Sequence, residues 1–237
     1  MKILKVSNYE ELSEKAAEIF IEKLKSIKNP VIGLATGSTP EGLYEILVKK
    51  YKAGEISFAD TITFNLDEYA GLSKDDPTSY QYFMDYHLFN SVDIKPENKH
   101  VPNGLAPNLE EECETYEKLI QQAGKINLQV LGLGLNGHIG FNEPGTPFDS
   151  RTHVVELEES TREANARFFK SIEEVPTKAL TMGIGTIMEA EEIVFLVQGE
   201  KKADILRKVV HGEVTEQVPA SILQKHPNIT LITDIEL

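Results

Sequence analysis

The run Gly132-Leu133-Gly134-Leu135-Asn136-Gly137-His138-Ile139-Gly140-Phe141-Asn142-Glu143-Pro144-Gly145 follows a short, mostly apolar stretch, Ile126 to Leu133, and that pairing leaves few folds open. The apolar stretch reads as a strand buried on both faces, which is how strands of a parallel sheet covered by helices are built. The glycines after it lose more conformational freedom on ordering than other residues, so a packed helix or strand does not use them. They suit a loop whose backbone approaches a ligand, with Asn136, His138 and Glu143 aimed at one place. Gly132, Gly134 and Gly137 also spell G-x-G-x-x-G, the dinucleotide-binding pattern. That pattern needs a helix to open at its third glycine, because the helix N-terminus carries the pyrophosphate. Here Gly140, Pro144, Gly145 and Pro147 forbid a regular helix. Neither a nicotinamide nor a flavin is expected, and no other cofactor is.

Before the loop, Ile3–Val6 reads as a strand, and Asn8 with Glu11 caps a helix. Val31–Ala35 is a short buried strand, and Thr36-Gly37-Ser38-Thr39-Pro40 turns into the next helix with Thr39 as its cap and Pro40 as its first residue. Thr61–Leu66 is a strand ending in Asp67-Glu68-Tyr69. Thr78 with Gln81 caps an aromatic-rich helix, residues 92–107 read as loop, and Asn108 caps a helix that Gly124 stops. Beyond the loop, strands are expected over 152–157, 179–184, 193–197 and 229–233. Helices are expected from Ser160, capped with Glu163, to about Phe169, and over 201–210 and 220–224. Strands alternating with helices predict an α/β sandwich with a largely parallel central sheet, in one domain spanning 1–237. Ligands bind such sheets at the carboxyl ends of the strands. Thr36–Thr39, Asp67 and Asn136–His138 all fall at such ends, so three loops can converge on one site.

Charge then narrows the partners. Lys and Arg number 24 against 38 Asp and Glu, a formal net charge of −14. Such a surface repels nucleic acid and an anionic membrane face alike, so an anionic small molecule could bind only at a local cluster of donors. Cys113 is the one cysteine, so no internal disulfide forms, and its acidic neighbours disfavour a thiolate. No signal-peptide core and no membrane-length apolar run is present, and a cytoplasmic protein is expected.

Each candidate residue has a plainer reading beside its functional one. Thr36–Thr39 offers hydroxyls and backbone N–H groups at a helix start, which suits a phosphate as well as it suits a simple cap. No P-loop lysine follows, which argues against a nucleoside triphosphate. Asp67 is either a solvated strand end or a carboxylate whose partial burial raises its pKa toward use as a base. His138 and Glu143, five residues apart in a turn-rich loop, are close enough for the carboxylate to orient the imidazole. They do not form a metal set, since no second His or Cys stands at ligand spacing. Arg167 and Lys202 could complete a phosphate site or be solvated, and Arg151, Arg162 and Lys201 are equally available.

Six segments, in order and at compatible spacing over nearly the whole chain, resemble the glucosamine-6-phosphate deaminase family. They are Thr36–Pro40, Phe64-Asn65-Leu66-Asp67-Glu68-Tyr69, Gly137–Pro144, Ser150-Arg151-Thr152, Asn165-Ala166-Arg167-Phe168-Phe169 and Gly183-Ile184-Gly185-Thr186. The resemblance implies a modified Rossmann-like fold without metal. The implied enzyme converts glucosamine 6-phosphate and water to fructose 6-phosphate and ammonia in amino-sugar catabolism. It makes Asp67 the base that moves a proton from C2 to C1. It makes His138 the ring-opening group, partnered by Glu143 and Asn136. Thr36, Gly37, Ser38, Thr39, Arg167 and Lys202 would hold the phosphate, and a lid would lie around 158–182.

Two departures stand out: Asn136 replaces an Asp common in the family, and His153 and Val155 stand where allosteric members carry cations. Asn136 leaves His138 to depend on Glu143 for ionic support, while His153 and Val155, with a shorter C-terminal tail, lead to the expectation of a monomer with no allosteric activator. Two alternatives are a 6-phosphogluconolactonase-like hydrolase and a non-catalytic sugar-phosphate sensor. The lactonase would not need the Glu143 carboxylate, and the sensor would need a basic DNA-binding domain.

Overall fold

A computed structural model of the chain describes residues 1–237. The elements of the first half are β1 (Lys2–Lys5), α1 (Tyr9–Ser26), β2 (Val31–Leu34), α2 (Glu41–Lys52), β3 (Ile62–Asn65), β4 (Asp67–Tyr69), α3 (Tyr80–His87), β5 (Lys99–His100) and α4 (Leu109–Ala123). The second half holds β6 (Leu128–Leu131), β7 (His153–Glu156), α5 (Glu159–Asn165), β8 (Lys178–Thr181), α6 (Ile184–Met188), β9 (Ile193–Val197), α7 (Ala203–His211) and β10 (Ile229–Thr233). Seven strands form one parallel sheet in the order β1-β10-β9-β6-β2-β3-β5. Strands β2, β6, β9 and β10 are buried at every position, which explains their mostly apolar sequences, broken only by Gly33, Gln129, Thr230 and Thr233. The two edges are β1, mostly exposed and bearing Lys2 and Lys5, and the two-residue β5; short, charged edges discourage pairing with other chains. The α/β sandwich expected from the sequence is the fold observed. No helix is long and apolar enough to cross a membrane.

The chain runs outward from β2 through β3 to β5, then crosses back to lay β6 on the other side of β2. Strand order therefore reverses between β2 and β6, and their two loops diverge there to leave a crevice. Those loops are Thr36–Thr39 and the glycine loop.

A second, three-stranded antiparallel sheet, β4-β8-β7, was not legible in the sequence. Asp67-Glu68-Tyr69 reads as the polar tail of β3, yet the chain bends after Asn65 and those residues pair with Thr181-Leu180-Ala179. This sheet has its own small apolar cluster of Tyr69, Phe141, Leu157 and Ala179, with Tyr80 and Phe169 packed against it. Residues 92–107, expected as loop, contain β5.

The strand expected over 179–184 stops at Thr181, the helix expected to Phe169 leaves the α form after Asn165, and that expected over 220–224 is a 3-10 run, Pro219–Lys225. Several helix starts differ as well. Asn8 accepts from the Glu11 N–H at 2.9 Å and Asn108 from those of Glu110 and Glu111, as the sequence predicts. Thr39 does not cap α2. Pro40 occupies the cap position, and the Tyr9 hydroxyl, reaching over from α1, accepts from the Gly42 N–H at 2.8 Å while donating to the carbonyls of Ser38 and Thr39. The cap of α3 is Ser79 instead of Thr78, whose hydroxyl is held by Asp76 at 2.6 Å. Ser160 lies inside α5, because β7 pairing runs on to Leu157, whose N–H reaches the Thr177 carbonyl, and the helix begins at once afterwards. The helix expected from Lys201 opens as a 3-10 turn, Glu200–Lys202, before α7.

Candidate active site

The carboxyl ends of four neighbouring strands, β9, β6, β2 and β3, carry Lys202, the glycine loop, Thr36–Thr39 and Asp67 respectively. Neighbouring strands lie about 4.8 Å apart, so these groups share an edge roughly 15 Å long.

The glycine loop is built around His138. Its Nδ1 lies 2.7 Å from the Asn136 Oδ1, and its backbone N–H donates to the same oxygen. The Asn136 amide then donates from Nδ2 to the Glu143 Oε2 at 2.7 Å, and that oxygen also lies 3.5 Å from His138 Nδ1. Only one orientation of the Asn136 amide satisfies all of these contacts, and it requires the ring proton on Nδ1. The other ring nitrogen, Nε2, is left as an acceptor with no protein partner. Burial raises the Glu143 carboxyl, but hydrogen bonds from His138, Thr161 and Asn136, and the charge of His138 when its ring is protonated, outweigh it and hold the group below its ordinary value. An Asp at 136 would place a second carboxylate against Glu143; Asn accepts on one side and donates on the other.

The glycines have separate reasons. A Cβ on Gly134 would overlap the His138 ring at Nε2, and Gly140 has φ +58° with Thr181 Oγ1 only 2.8 Å from where its Cβ would sit. The same position on Gly140 is 3.6 Å from Asp67 Oδ2, so β4 and the histidine loop meet there. Thr181, the partner of Asp67 across β4 and β8, accepts from the Phe141 N–H at 3.0 Å and joins the two pieces. Asn142, fully buried, donates to the carbonyls of Ile139 and Met182 and fixes the turn.

Asp67 is 7 % exposed and its carboxylate has no hydrogen-bond partner in the protein. Burial first, and then the charge of Glu68, push it up to about 8. Glu68 is raised to about 7 by burial, opposed by three backbone N–H donors, those of Tyr69, Tyr80 and Gln81. Its carboxylate thus sits at the start of α3 and ties β4 to that helix. Cys113, buried and pushed up to about 12 by burial and its acidic neighbours, takes no part.

Around Thr36–Thr39 the N–H groups of Gly37, Ser38 and Thr39 bond to no other group of the chain, and Gly37 has φ +93° with open space before it. Arg167 lies over the Phe168 ring, and neither it nor Lys202 pairs with a carboxylate. Burial, and then the charge of Arg167, lower Lys202, so the two cations stand within electrostatic reach of one another. No hydrogen bond links them to Thr36–Thr39. Of the other candidate cations, Arg151 is engaged with Glu117 and Glu189 and Arg162 with the carbonyls of Ile172 and Val175, while Lys201 pairs with no carboxylate. No group of three His, Cys, Asp or Glu side chains is placed to hold a metal.

The sequence profile of the family described as glucosamine-6-phosphate isomerases/6-phosphogluconolactonase matches residues 7–232. The chain belongs to this family. Within it, a relative from Oceanobacillus iheyensis named glucosamine-6-phosphate deaminase is 58 % identical over 99 % of this chain and 94 % of its own. One of the same name from Thermoanaerobacter pseudethanolicus is 56 % identical over 100 % of this chain and 93 % of its own. Among solved structures, a monomeric glucosamine-6-phosphate deaminase superposes with a TM-score of 0.97 at 50 % identity, covering 98 % of this chain and 97 % of that one. A 6-phosphogluconolactonase from Thermotoga maritima reaches a TM-score of 0.76 at 21 % identity, covering 98 % and 97 %, which speaks for the shared fold alone.

The sequence reading of this family member missed Tyr9, Thr161 and Thr181. Each is a hydroxyl in an ordinary helix or strand, and only tertiary contacts show what it holds.

Proposed function

We propose that the protein converts glucosamine 6-phosphate and water to fructose 6-phosphate and ammonia. The observation that carries this is the approach, at Gly140, of the buried and unpartnered Asp67 carboxylate to the loop that holds His138, whose Nε2 is free. His138 Nε2 takes the proton of the sugar's anomeric hydroxyl and returns it to the ring oxygen, which opens the ring. Asp67 removes the proton from C2 and delivers it to C1. The C2 amine becomes an imine, and water replaces it, leaving a ketone and ammonia. Glu143 and Asn136 hold His138 in the tautomer this needs. A lactone hydrolase needs no base over C2, and the relatives above 50 % identity carry the deaminase name, so the lactonase and sensor readings are set aside.

The donors of Thr36, Gly37, Ser38 and Thr39, with Arg167 and Lys202, hold the phosphate in this reading. The chain works as one domain, residues 1–237, in the cytoplasm. A lid around 158–182 includes α5 and ends on β8, which is already paired on both sides. We read the protein as a monomer without an allosteric activator. His153 Nδ1 is engaged with the Arg151 carbonyl at 2.7 Å, and Val155 packs on the apolar cluster, so neither offers a free cation to a second phosphate.

The test is coupled detection of fructose 6-phosphate and ammonia from glucosamine 6-phosphate, with light scattering for mass. Hyperbolic rates from a single chain are expected; absence of either product sinks the reading. Replacing Arg167 and Lys202 with Ala is expected to raise KM by about tenfold or more with kcat little changed, since a phosphate is bound in ground and transition states alike. Steady-state kinetics of both variants check this, and a loss confined to kcat would remove them from the phosphate site.

A further inference from the structure

Helix α5 has one buried residue, Thr161. A helical threonine commonly turns its hydroxyl back to the carbonyl four residues earlier. Thr161 instead donates to the Glu143 Oε1, 18 residues away in the chain, at 2.6 Å. The two carboxylate oxygens are thereby divided: Oε2 serves Asn136 and His138, and Oε1 serves α5. One turn later Asn165 donates to the Tyr69 hydroxyl at 3.0 Å, two residues beyond Asp67. Residues four apart share a helix face, so one face of α5 touches both halves of the site. The 3-10 turn Ala166–Phe168, which carries Arg167, follows without a break.

We propose that Thr161 is a positioning residue for the sugar-phosphate reaction. Its hydroxyl fixes the orientation of Glu143, and through Asn136 that of His138, and makes that orientation depend on the segment bearing Arg167. Phosphate capture by Arg167 and the setting of the ring-opening histidine are then linked through one short stretch of chain. The proposal rests on the function proposed above. The groups facing the Glu143 carboxylate are His138 and Asn136 from the glycine loop and Thr161 from α5.

Thr161→Val removes the hydroxyl and keeps the bulk, while Thr161→Ser keeps the hydroxyl. The valine variant is expected to lose about tenfold in kcat, the order of one charge-assisted hydrogen bond, with KM changed far less. The Glu143 carboxyl, followed by carbon-13 NMR, should titrate at higher pH than in the parent, since a bond that favours its ionised form is gone. Serine should restore both. The proposal is overturned if the valine variant keeps the parental titration and kcat, or if serine is as damaging as valine, which would assign the effect to packing. A parent that does not turn over glucosamine 6-phosphate would instead sink the function, while the carboxyl titration would still report on the bond.

Discussion

Asp67→Asn is expected to lower turnover of glucosamine 6-phosphate by about 10² or more while leaving phosphate affinity nearly unchanged, because only the proton-transferring group is removed. Exchange of the substrate's C2 proton with solvent deuterium reads this step directly, and exchange at the parental rate would show another group to be the base. Burial sets the pH at which the parent works. Asp67 is raised to about 8, and a base acts only when ionised, so parental kcat/KM should climb with pH through that region. Stability should run the other way. A carboxyl whose folded value lies above its ordinary 3.8 favours the fold while protonated, and that contribution is lost as pH rises through about 8. Asn stays neutral throughout. The variant should therefore melt higher than the parent at about pH 8, with the gap closing towards about pH 4. A mutation that abolishes activity and stabilises the protein is the expected mark of a base held in an unfavourable place.

How much of this was legible beforehand depended on whether a residue's neighbours lie near it in sequence. The buried strands of the parallel sheet are short, mostly apolar runs, and their composition and length declare them. The glycine loop declared itself too, because so many glycines beside Asn136, His138 and Glu143 have no packing explanation. What could not be read were elements made by distant partners. Asp67–Tyr69 is a strand only because residues 179–181 pair with it, more than a hundred positions away. Thr39 looks like a cap, but the Tyr9 hydroxyl from another helix displaces it. The resemblance to a family named the residues proposed for the site. It did not show that Gly134 is there for the imidazole, or that Asn136 bridges His138 and Glu143 with a neutral amide.

That distinction gives the second large effect: of two glycines in one motif, only one should be damaged by alanine. A Cβ on Gly134 overlaps the Nε2, Cε1 and Cδ2 atoms of His138, whereas one on Gly132 meets nothing within 4 Å. Neither residue has a positive φ, so backbone strain does not separate them. The loop cannot simply recede from the new methyl. The Gly134 N–H donates to the His138 carbonyl at 2.9 Å, and the Gly137 N–H donates to the Gly134 carbonyl at 3.0 Å. The imidazole must swing instead, breaking its 2.7 Å contact with Asn136 and moving Nε2 away from the sugar. A displacement of about 1 Å in a catalytic group can cost roughly 10²-fold in rate, so Gly134→Ala should lose at least that much kcat while Gly132→Ala stays near the parent. Phosphate affinity should hold in both, because Thr36–Thr39, Arg167 and Lys202 lie outside the turn. Equal damage from the two substitutions would mean that the motif's glycines serve the loop's folding as a whole. Parental turnover by Gly134→Ala would mean that the imidazole does not need the place the structure gives it.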